Sequence, residues 1–172
     1  MDVAALLVDL YGRVPPLVRE VVGGLDAEQL RWRPGAAANS IGWLVWHLSR
    51  VQDVHISEVL DAEQLWVGGA WAAGFGLEPD PSNDGYGHTP DEVAAVQPTS
   101  SDTVEAYFDA VHARTSSYVA RLNEGDLDRV VDRSWDPPVT LGVRLISVAD
   151  DCLEHVGQAA YLRGLLAAPL GG

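Results

Sequence analysis

Lysine is absent from this chain of 172 residues: all 11 basic side chains are Arg, against 25 Asp and Glu, for a formal net charge of −14. A field of that sign repels phosphate backbones and anionic headgroups, which argues against nucleic acid and membrane surfaces as partners. Cysteine is limited to Cys152, which rules out an internal disulfide and fits a reducing compartment. Long apolar runs are missing too, and none approaches the ~20 residues a membrane span needs. Near Met1 there is no basic segment leading into an apolar core and a small-residue cleavage site, so the chain reads as soluble and cytoplasmic. What is present is a core: 47% hydrophobic against 21% charged residues, in a length that suits one domain over residues 1–172.

The apolar residues recur at helical spacing. Leu6, Leu7, Leu10, Val14, Leu17 and Val21 predict a first helix from Asp2 to Val22, kinked or divided at Pro15-Pro16 and stopped by Gly23-Gly24. A short helix over Asp26–Leu30 and a loop at Arg33-Pro34-Gly35 follow. Asn39 or Ser40 caps a second long helix running to about Leu60. Between Trp66 and Pro98, repeated Gly and Pro break any long element and predict a long crossover carrying Trp66, Trp71, Phe75, Tyr86 and His88. Helix three is expected from about Ser101 to Leu122, with Gly125 as its stop and a loop to Pro138. Helix four is expected over Thr140–Leu166, ended by Pro169 and Gly171-Gly172. No segment alternates as a strand would. The pattern is all-α, a four-helix bundle with its crossover between helices two and three.

Two histidines interrupt the apolar seams of this bundle. In helix four, Leu145, Val148, Cys152, His155, Ala159 and Leu162 follow a 3-and-4 spacing, and Asp151 stands one turn before His155 on the same face. In helix two the matching seam is Leu44, His47, Val51 and Val54. Burying two imidazoles and a carboxylate without partners costs several kcal/mol, and one divalent ion satisfies all three. A buried hydrogen-bond network among the same side chains is the competing reading. Two His and one carboxylate suit Zn, Ni or Fe, and three protein ligands leave positions open for water or substrate. Trp46, Tyr86, His88 and Trp135 are pocket candidates beside His47, with a hydrogen bond inside its own loop as the alternative for His88. His55 is rotated from the His47 face and reads as surface, and His112 as solvated or interfacial. Cys152 belongs to the seam, where buried thiols are inert. Arg50 and Arg144 either recognise an anionic substrate or pair with surface carboxylates, and the acidic surplus favours the second.

The words Asn39-Ser40-Ile41-Gly42-Trp43-Leu44-Val45-Trp46-His47-Leu48 and Asp151-Cys152-Leu153-Glu154-His155-Val156-Gly157-Gln158, with the Trp32-Arg33-Pro34 turn, resemble the DinB/YfiT-like superfamily over nearly the whole chain. The resemblance implies an up-down-down-up bundle, commonly dimeric, with a divalent metal held by His47 from helix two and by Asp151 and His155 from helix four. Its members commonly carry His at the first helix-four position, where this chain has Asp151, a harder and more negative ligand that alters the metal preference. The resemblance further implies chemistry on low-molecular-weight thiols such as mycothiol or bacillithiol, namely S-transfer to an electrophile or thiol-dependent isomerisation. The alternative is a non-catalytic metal-binding or stress-response dimer.

Overall fold

Hydroxyl and carboxylate side chains start most of the helices. In the protein's computed structural model, which describes residues 1–167, Asp2 caps α1 (Val3–Gly12) and Arg13 separates it from α2 (Val14–Val22). The division falls before Pro15-Pro16 rather than at them. Both prolines sit in the first turn of α2, where backbone N–H groups have no partner inside the helix and a missing donor costs nothing. Asp26 and Gln29 cap α3 (Ala27–Arg31) reciprocally.

Ser40, rather than Asn39, starts α4 (Ile41–Leu60) by accepting the Trp43 N–H at 3.1 Å. Leu60 ends it as expected, with Asp61 in the left-handed region at φ 51°. This helix is buried along most of its length because α9 (Leu141–Ala167) covers one side and α8 (Ser101–Val119) another, and α2 lies against the same two helices. Close packing needs Gly42, where a Cβ would come within 2.6 Å of Pro98 Cγ and 2.9 Å of the Leu30 carbonyl oxygen.

The crossover holds three helices of four to six residues, α5 (Leu65–Gly68), α6 (Trp71–Gly74) and α7 (Pro90–Ala95), too short to leave a periodic trace in the sequence. After α8 the chain differs from the expected plain loop. Helix α8 closes at Ala120, before Leu122, and Gly125 falls inside a 3-10 turn over Glu124–Asp128. Strands β1 (Val130–Asp132) and β2 (Val139–Thr140) then pair antiparallel, with Val130 opposite Thr140 and an irregularity before Asp132 opposite Val139. Strands of three and two residues are below the length at which alternation is legible. The stop expected at Pro169 and Gly171-Gly172 lies outside the described residues. Among the described residues, no helix is long and apolar enough to cross a membrane.

Candidate metal centre

The register between α4 and α9 brings the two histidine-bearing seams together. The Cys152 thiol lies 3.8 Å from the Leu48 carbonyl oxygen and 3.5 Å from Gln52 Oε1, so the residues on either side of that contact, His47 and Asp151, face each other across the seam. Ligand atoms of His47, Asp151 and His155 all lie within 4.8 Å of one another. Asp151 Oδ1 is 3.9 Å from His47 Nε2 and 3.5 Å from His155 Nε2. Ligands about 2.1 Å from one tetrahedral ion sit about 3.4 Å apart, so Asp151 is already close to that spacing from both imidazoles, and the triad as a whole would contract from its spread of up to 4.8 Å to close on an ion.

Each imidazole has its distal nitrogen engaged. The Asp84 carbonyl oxygen accepts from His47 Nδ1 at 2.5 Å, which makes that nitrogen the N–H and turns the Nε2 lone pair toward Asp151. His155 Nδ1 donates to Gln158 Oε1 at 3.0 Å and leaves its own Nε2 on the same side. Such outer partners fix tautomer and ring orientation at metal sites. The carboxylate carries the remaining signal: Asp151 Oδ2 is buried and has no hydrogen-bond partner among the described residues. A hydrogen-bond network alone would leave that oxygen unpaid, whereas a cation satisfies it, so the donor set fits a divalent ion.

The two rings are electrostatically unequal. Burial holds His47 below the ordinary imidazole range, with the Asp84 carbonyl and Asp151 opposing it only in part. Burial pulls His155 the same way, but the Asp151 carboxylate and Gln158 outweigh it and hold that ring above the ordinary range. Trp43 stacks on His47 with centroids 4.7 Å apart and an interplanar angle of 15°, which limits rotation of the ring.

Beside the triad opens a cleft of about 290 Å³, lined by His47 and Asp151 with Val51, His55, Tyr86 and Val148. The pocket candidates are distributed unevenly around it. Tyr86 is 90% exposed on its rim. Trp46 is fully buried, its ring against His88 at 5.7 Å and Trp66 at 6.0 Å, and it does not line this cleft. His88 takes the alternative role: it accepts the Trp43 indole N–H at 3.2 Å through Nδ1 and donates to Asn83 Oδ1 at 2.9 Å through Nε2. Trp135, 67% exposed, lines a neighbouring cavity of about 480 Å³ with His55, Asp132 and Arg144.

His55 is part of the cleft wall, with Nδ1 3.0 Å from Glu58 and Nε2 3.3 Å from Arg144, whose other nitrogen donates to Asp132 at 2.9 Å. His112 is half-buried, stacked on Phe108 with its Nε2 3.1 Å from the Ser116 hydroxyl. Cys152 is fully buried, and desolvation followed by the neighbouring Asp151 charge pushes its thiol far up, so it is no nucleophile. Arg50 corrects the expectation of surface pairing, since it is fully buried beneath the crossover. The sequence reading missed Asp84, which acts through its backbone carbonyl and so leaves no side-chain signal.

A conserved protein of locus from Enterococcus faecalis, known as a crystal structure, is similar to this chain, with 33% sequence identity, a TM-score of 0.87, and coverage of 96% of this chain and 97% of that one. No curated protein matches. The model of the mycothiol-S-transferase family matches residues 16–168, and the chain belongs to that family.

Proposed function

We propose that this protein is a divalent-metal-dependent enzyme that activates a low-molecular-weight thiol of the mycothiol type, for S-transfer to an electrophile or for isomerisation. His47, Asp151 and His155 are the ligands, and Zn, Ni or Fe(II) suit the donor set. The observation that carries the reading is the open geometry: three protein ligands converge beside a cleft of about 290 Å³, which leaves a side of the centre accessible to a small thiol. When bound, the ion lowers the pKa of a coordinated thiol. In S-transfer the thiol gives up its proton to water in the cleft, its sulfur forms a bond to the electrophilic carbon, and the leaving group departs with its electron pair. His47 and His155 hold their Nε2 lone pairs in place through Asp84 and Gln158, Trp43 restrains the His47 ring, and Tyr86 on the rim contacts what enters. Trp46 and His88 back the Trp43 ring rather than line the cleft, and Trp135 stands on the neighbouring cavity.

The same reading includes an up-down-down-up four-helix bundle, supported by the mutual packing of α2, α4, α8 and α9, and a cytoplasmic homodimer as the working form. Cobalt substitution tests the proposal. A visible spectrum that changes on adding a small thiol supports an open, thiol-accessible centre. A cobalt spectrum unaffected by thiols points instead to a closed, stabilising ion in a non-catalytic dimer.

A further inference from the structure

Arg50 is one turn along α4 from His47 and is fully buried, an expensive place for a guanidinium unless all of its donors are used. They are. Nε donates to the Asn83 carbonyl at 3.0 Å, Nη2 to the Pro81 carbonyl at 3.2 Å and to Gln64 Oε1 at 2.9 Å, and Nη1 to Asp53 Oδ2 at 3.4 Å and Tyr107 Oη at 3.3 Å. The Trp66 ring covers its flat face with the guanidinium carbon 5.0 Å from the centroid. Asp53 is fixed in turn by the backbone N–H groups of Leu65 and Trp66 at 3.0 and 2.8 Å and by Tyr107 Oη at 3.0 Å. Two of the five contacts end on backbone carbonyls of the crossover, and the second of those residues, Asn83, precedes Asp84, whose carbonyl receives the His47 Nδ1–H. The next residue, Gly85, lies so close over the helix that a Cβ there would be 2.7 Å from His47 Nδ1 and 2.9 Å from Trp46.

We infer that Arg50 is a positioning residue for the metal centre: it straps residues 81–83 of the crossover to α4 and so fixes the Asp84 carbonyl that sets the tautomer of His47. This rests on the reading of His47 as a ligand. Arg50 does not reach the triad, and its effect passes through the loop. Arginine is required because its rigid fork offers five donors, whereas the lysine ammonium has three and no planar face to lie under Trp66.

The test is Arg50→Lys, which keeps a cation beside Asp53. Long-range ¹H–¹⁵N NMR of the metal-free protein reads the His47 tautomer directly, and competition with a chelator reads zinc affinity. In the wild type His47 carries its proton on Nδ1. In a cooperatively folded Arg50→Lys variant that population falls, and zinc affinity drops about 10-fold or more, the usual scale for loss of a partner supporting a ligand. A folded variant with the wild-type tautomer and wild-type zinc affinity overturns the inference. Should Arg50→Lys fail to fold, Gln64→Leu removes two contacts of the same strap, the one to Arg50 and the one to the Pro81 carbonyl, while leaving Arg50 and Asp53 paired. There a smaller shift in the same direction upholds the inference, and an unchanged tautomer overturns it. A wild type that binds no zinc while the tautomer still responds to Arg50 defeats the metal reading and leaves the strap standing.

Discussion

Two charged clusters stand about one turn apart on α4, and they differ in completeness. Around Arg50 and Asp53 both side chains are fully buried and every guanidinium donor meets an acceptor. Around His47, Asp151 and His155 the outer nitrogens are engaged, yet both Nε2 atoms face Asp151, whose Oδ2 is buried without a partner among the described residues. A polar cluster that closes on itself holds structure; one that stays open in a particular direction is arranged for something else. The first cluster spends its hydrogen bonds on the crossover, and the crossover in turn orients the second.

Substitutions sharpen this contrast. Asp53→Ala should be the most damaging, because it leaves Arg50 buried and uncompensated, and the expected loss is about 3–5 kcal/mol in denaturant unfolding. Gly85→Ala comes next. The residue has φ +97°, a conformation that costs a side chain about 1–3 kcal/mol, and the added methyl would press on His47 Nδ1, so the melting temperature and zinc affinity should fall together. Saturating zinc should stabilise the wild type by about 2.7 kcal/mol at a hundred times its dissociation constant, and Asp151→Asn should abolish that gain in thermal melts. The metal-free Asp151→Asn protein should stay within about 1 kcal/mol of the wild type, since the side chain is 26% exposed and its ion pair with His155 is partly screened. Trp135→Ala should be the mildest, within about 0.5 kcal/mol and with metal content unchanged. If Asp151→Asn instead destabilised the metal-free protein as severely as Asp53→Ala, the two clusters would be of one kind.

The long helices and the triad were legible in the sequence because both follow from helical spacing. Asn39 or Ser40 marked the start of α4, of which Ser40 is the cap, and the step from Asp151 to His155 placed two candidate ligands on one helix face. The division of the first helix was legible only in outline: the prolines announced a break, but their tolerance in a first turn moved it to Arg13. The hairpin after α8 was too short to alternate. Arg50 was misread because charge balance alone makes an arginine in an acidic chain look like a surface partner. Its i, i+3 spacing to Asp53 was a usable signal, but the carbonyls of Pro81 and Asn83 that complete its shell come from more than 30 residues away and carry no side-chain signature. The same holds for Asp84, which orients His47 through its backbone.

Metal content tests the central claim most directly. Protein purified untagged and without chelator, measured by elemental analysis beside His47→Ala, should carry close to one equivalent of a divalent metal per chain in the wild type and lose it in the variant. A wild type without metal, whose melting temperature is unmoved by added Zn, Ni, Mn or Fe, would contradict the account and reduce the triad to a buried polar cluster.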